Sequence, residues 1–77
     1  MARVVWKLAA YLEKRELTTY KLAQQVQRGR ENTVYRLVRQ GEALKRLDLE
    51  VLADILSGLR SLTGQDVTAD DLLEFRE

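Results

Sequence analysis

TTYKLAQQVQRGRENTVYRLVRQ, running from Thr18 to Gln40, reads as two short amphipathic helices with a tight break between them. In the first half Thr19, Leu22, Ala23 and Val26 recur at i, i+3, i+4 and i+7, the spacing that gathers side chains onto one buried helix face. Lys21, Gln24 and Gln25 are then left in water, and the Thr18 hydroxyl is placed to accept from a free N–H of the first turn. In the second half Val34, Leu37 and Val38 point inward. At 100° per residue, Asn32, Arg36 and Arg39 line up on the opposite side, flanked by Thr33, Tyr35 and Gln40. Between the halves, Gln27-Arg28-Gly29-Arg30 holds the one glycine of the stretch, where the backbone must turn.

The exposed row has a definite chemistry. Arginine can donate a bidentate pair to guanine, and asparagine can bond adenine as donor and acceptor together. A solvated polar face is the bland alternative. Against it, neither arginine has a carboxylate three or four residues away except Arg39, through Glu42. Two helices joined this way describe a helix-turn-helix, with Glu31 to Gln40 offered to a DNA major groove.

Outward from this unit, Val5, Leu8, Ala9 and Leu12 repeat the helical spacing and predict a first helix from about Val4 to Arg15, with Lys7, Glu13 and Lys14 in solvent. Trp6 and Tyr11 are expected as packing aromatics at its edges. After Gln40, Gly41 suits a helix end and the chain to Arg46 reads as a loop. Asp48 is a cap for the next helix, Glu50 lies favourably in its first turn, and Leu52, Ile55, Leu56 and Leu59 form its apolar stripe. Gly58 inside that stripe costs about 1 kcal/mol relative to alanine, and marks either a break or a close packing contact. Gly64 ends this helix. A short last helix is announced by Thr68 as cap, Asp71 three residues on in the manner of a capping box, and Val67 stapling against Leu72; it ends near Phe75. No strand-like alternation is long enough to challenge an all-α reading, so the expected architecture is a compact five-helix bundle over residues 1–77 as one domain.

LAQQV, VYRLVR, RLDLEVLADIL and DDLLEF, taken together, resemble the phage-repressor and Cro-type helix-turn-helix transcriptional regulators, especially their small single-domain bacterial members with a VYRL recognition helix. The resemblance runs from about Val5 to Phe75. It implies a lambda-repressor-like DNA-binding fold and a regulator of transcription. One feature departs from the family pattern: a glycine usually falls four residues after the alanine of the second helix, whereas Gln27 stands there and Gly29 follows later. On this reading Glu31, Asn32, Thr33 and Arg36 form the base-reading set. Thr18, Thr19, Lys21, Arg28, Arg30, Tyr35, Arg39, Lys45 and Arg46 form the set that touches the DNA backbone. Lys45 and Arg46 would position the protein through phosphates without reading sequence, or else belong to a solvated loop.

Composition sets the boundaries of function. Seventy-seven residues with 45% hydrophobic content allow one modest core. There is no cysteine and no histidine, which removes thiolate metal sites, the commonest metal ligand and the commonest general base. No Gly-rich phosphate cradle and no metal-ligand cluster stands out, and adjacent Asp70 and Asp71 are explained as first-turn charges on a helix. An enzyme is therefore not expected, nor a cofactor, a metal or a small-molecule effector. No apolar run approaches the roughly 20 residues that cross a bilayer, and the first 17 residues lack a signal-like block, so a cytoplasmic protein without membrane partners is expected.

The net charge of +1 conceals a division. Residues 18–46 carry seven basic side chains against two acidic ones, while residues 47–77 carry two arginines against eight acids. A basic patch on the recognition unit is the footprint of phosphate contact. The expected partner is double-stranded DNA, read by a homodimer, because one such module buries too little surface to discriminate a site within a genome. Leu72, Leu73 and Phe75 are the candidates to face a partner chain, since so brief a last helix cannot turn all three inward. The rival expectation is a helical protein-interaction module that keeps the fold without binding DNA.

Overall fold

The computed structural model describes residues 2–77. In order along the chain lie strand β1 (Arg3–Trp6), helices α1 (Leu8–Lys14), α2 (Thr19–Ala23) and α3 (Glu31–Gln40), a 3-10 turn (Gly41–Ala43), helices α4 (Leu49–Thr63) and α5 (Ala69–Leu72), and strand β2 (Leu73–Arg76). The two strands pair antiparallel, with Arg3 opposite Arg76, Val4 opposite Phe75, Val5 opposite Glu74 and Trp6 opposite Leu73.

Five helices are present as expected, but this sheet overturns the all-α expectation at both ends of the chain. The predicted helix from Val4 to Arg15 begins only at Leu8, and the predicted last helix stops at Leu72 instead of running to Phe75. The physical reason is that Val4, Val5 and Trp6 are β-branched or aromatic and cost a helix side-chain freedom, while a strand accommodates them. Their ladder partners lie at the far end of the chain and leave no trace in local periodicity. Lys7, expected on a helix face, sits between β1 and α1; its N–H donates to the Leu72 carbonyl at 2.7 Å and its ammonium donates to Glu74 at 3.1 Å.

The core is one cluster, to which Trp6, Leu8, Leu12, Leu22, Ala23, Val34, Leu37, Leu52, Ile55, Leu59, Val67 and Leu72 contribute. Trp6 is buried, and its Nε1 donates to the Leu37 carbonyl at 3.3 Å, which ties β1 to the inward side of α3. Its polar edge thus has the partner that a buried indole requires. α4 runs unbroken through Gly58, where an added Cβ would lie 3.2 Å from both Gln25 Cβ and Leu22 Cδ1. Glycine there is a close approach to the chain at and just after α2, not a break.

Local signals set the helix ends. The Thr18 hydroxyl accepts from the Lys21 N–H at 3.1 Å, the Asp48 carboxylate accepts from the Glu50 N–H at 2.8 Å, and Asp71 accepts from the Thr68 N–H at 2.9 Å. Each satisfies a backbone donor that a helix start leaves unpaired.

Candidate nucleic-acid interface

α3 is amphipathic in the way its sequence requires. Val34 and Leu37 are buried and Val38 is half-buried, while Asn32, Arg36 and Arg39 are exposed along the opposite side. No ion pair among the described residues takes up Arg36 or Arg39. Glu42, the one carboxylate near Arg39 in sequence, lies instead 3.7 Å from Arg76.

The exposed row forms a ridge between two grooves. On one side α2 and α3 enclose a small notch lined by Tyr20, Ala23, Gln24, Glu31 and Tyr35, with Tyr20 largely and Tyr35 partly exposed. On the other side Arg36 and Gln40 face the 43–48 segment across a wider open groove of about 650 Å³, whose wall carries Lys45 and Arg46. Both of these basic side chains are exposed and free of ion pairs among the described residues. The ridge is therefore bordered by an aromatic notch and a cationic groove.

The connection between α2 and α3 is longer than the sequence suggests, because α2 stops at Ala23 and α3 begins at Glu31. It is anchored from behind by α4. The Asp54 carboxylate accepts from the Gln27 N–H at 2.9 Å and from Arg30 Nη1 at 3.3 Å, and Arg30 Nη1 also donates to the Glu50 carbonyl at 3.3 Å. Gly29 holds φ of +95°, a conformation only glycine adopts without strain, and its N–H donates to the Glu31 carboxylate at 3.0 Å.

These bonds separate the expected site residues into two groups. Asn32, Arg36, Arg39, Lys45, Arg46, Lys21, Arg28 and Tyr35 are exposed, and Thr33 and Thr19 are half-buried. Three others engage their side chains in bonds within the chain: Thr18 in capping α2, Glu31 in the turn, and Arg30 with α4. Asp54 as the anchor of the turn has no signal in the sequence, since nothing local links it to Gln27. Tyr20 also escapes the periodicity reading; its place one residue from the inward-facing Thr19 is the signal that points to it.

Electrostatics sharpen the division seen in the sequence. Asp70 and Asp71 lie around a shallow cleft with Lys7, Lys14 and Arg15, so the basic residues in and around α1 have acidic neighbours. The groove shared by Arg36, Lys45 and Arg46 also holds Asp48, but none of these cations is in an ion pair among the described residues. Glu74, between Arg76 Nε at 2.7 Å and Lys7 Nζ at 3.1 Å, has its pKa held down to about 2, first by the hydrogen bond from Arg76 and then by that from Lys7. The same contact raises the pKa of Arg76.

Among the described residues no three His, Cys, Asp or Glu side chains gather as a metal site requires, and no helix is long and apolar enough to cross a membrane. Comparison with protein-family models, with curated proteins and with solved structures finds no match to this chain.

Proposed function

We infer that the protein is a sequence-specific double-stranded DNA-binding transcriptional regulator that acts as a homodimer. The observation that carries this reading is the α3 ridge. An exposed row of one asparagine and two unpaired arginines stands between two grooves, one of which is walled by Lys45 and Arg46. A major groove admits one helix and presents base edges at its floor, with a sugar-phosphate strand on either side. With α3 in that groove, Asn32 and Arg36 meet base edges, and the two strands lie over the flanking grooves. Lys45 and Arg46 neutralise phosphates on one strand; Tyr20, Tyr35 and Lys21 border the other. Arg30, engaged by Asp54 and Glu50, holds the turn in this arrangement instead of reaching DNA.

The rival reading, a helical interaction module, draws support from the exposed Tyr20 and Tyr35 beside Ala23, since paired aromatics around a small apolar notch suit a protein partner. Selection of binding sites from random duplex DNA at two salt concentrations separates the two. Enrichment of a motif is the expected result; absence of binding at low salt would leave the interaction module.

A further inference from the structure

The two outer edges of the β1–β2 sheet are unequal. The bond from the Lys7 N–H to the Leu72 carbonyl sets the phase of the ladder, because hydrogen-bonded and non-hydrogen-bonded pairs alternate along an antiparallel pair. Val5 with Glu74 and Arg3 with Arg76 are then hydrogen-bonded pairs, whereas Val4 with Phe75 is not. Consequently the N–H and C=O of Phe75 point away from β1, towards the open side of β2. The Gly41–Ala43 turn packs on β1, while β2 packs chiefly on β1 and the helix that leads into it, with Glu42 of the turn reaching Arg76.

This edge is short and carries two charges, Glu74 and Arg76, yet it also presents an exposed apolar pair. Phe75 is 65% exposed and Val4, directly opposite, 57% exposed, so the pair forms an apolar patch on one face of the sheet. Natural edges are usually blunted by charge, proline or a cover. On the other face Glu74 and Arg76 flank Phe75 with opposite charges at equal distance along the strand.

We propose that β2 is the dimer seam: it pairs antiparallel with β2 of a second copy about a twofold axis through Phe75, which makes one four-stranded sheet. Under that axis each Phe75 exchanges both backbone bonds with its mate, the parity that its outward N–H and C=O require. Each Glu74 falls opposite Arg76 of the second copy, so the charges are complementary only because the strand meets itself. The two Phe75 rings and two Val4 side chains join into one apolar face. This self-complementarity is what selects a second copy over an unrelated strand.

The seam rests on the homodimer reading above and gives it a location. A four-residue strand with one exposed apolar side chain, Phe75, and Val4 beside it on β1 falls well short of the ~800 Å² per partner of a standard interface. Association is therefore weak in the free chain and strengthened when one duplex holds both copies. The 44–47 segment couples the two events, because Lys45 and Arg46 line both the α3 groove and a cleft beside Val4 and Leu73.

Sedimentation of the full chain without DNA, up to NMR concentrations, tests the seam alongside Phe75→Glu and Phe75→Pro. Proline removes the outward N–H and none of the bonds to β1. The wild-type chain is expected to dimerise, and both variants to dimerise at least about tenfold more weakly with unchanged helical circular dichroism. In a mixture of labelled and unlabelled wild-type chains, contacts between chains are expected at residues 74–76, a readout that needs no variant. A dimer that lacks those contacts, or that survives both substitutions at full strength, overturns the seam and leaves the homodimer standing. A chain that stays monomeric at NMR concentrations overturns the seam, and sedimentation with a selected duplex then decides separately whether two copies meet on DNA.

Discussion

The Asp54 carboxylate accepts the Gln27 backbone N–H at 2.9 Å, a contact across 27 residues that fastens the turn before α3 to the middle of α4. With Arg30 on the same carboxylate, it fixes where the N-terminal end of α3 points. Replacing Asp54 by alanine is expected to cost about 1.5 to 3 kcal/mol of stability, the range for a hydrogen bond to a charged group. Because the turn orients α3, specific DNA affinity should fall further than affinity for random duplex. Denaturant titration together with binding to both DNAs checks this; equal losses on the two would detach the turn from sequence reading.

Asn32→Ala and Arg36→Ala are each expected to weaken specific binding by roughly 1 to 3 kcal/mol and to relax preference at one base position. Both side chains are exposed on the ridge, Asn32 in the first turn of α3 and Arg36 one turn further on. Binding-site selection with each variant reads the outcome. A uniform loss over all sequences would move that residue to the phosphate-contacting group.

Lys45→Ala and Arg46→Ala should act differently, lowering affinity for every sequence alike and reducing the slope of log affinity against log salt by about 1. Each releases a counterion on meeting a phosphate but reads no base. Salt titrations of the variants decide, and an unchanged slope returns the residue to solvent.

The Glu74 contacts with Lys7 and Arg76 make a pH prediction with a definite sign. Its pKa falls from an ordinary value of 4.5 to about 2 on folding, so the stabilisation is fully present above 4.5 and is lost as pH falls towards 2. Wild-type protein should therefore lose more stability than Glu74→Gln between those two values, and the two should run parallel above pH 5 or so. Urea midpoints over that range test it; parallel curves throughout would show the contact to be silent.

Most of the helical framework is legible in the amino-acid sequence. Thr18 and Asp48 cap their helices and Asp71 makes the capping-box bond to Thr68 as their positions imply, and α3 has the bounds that its periodicity predicts, because a cap or a helical stripe depends on residues only three or four apart. The exposed Asn32, Arg36 and Arg39 follow from the same local rule. What required the folded chain was everything that joins distant segments. Val5, Leu8, Ala9 and Leu12 match a helical stripe, yet Val5 lies in a strand because the segment from Leu73 to Arg76 is there to pair with it. Glu42 is within helical reach of Arg39 by sequence, yet it sits beside Arg76. Arg30 reads as a free cation in the turn, yet it is held by Asp54 and Glu50. Sequence by itself determined where the five helices lie, though not the bounds of the first, second and last of them, and the chemistry of the ridge, since backbone capping and 3.6-residue periodicity are local. Tertiary structure alone settled the sheet and the choice of ion-pair partners, since both depend on which of several competing groups the packed core brings within a few ångströms.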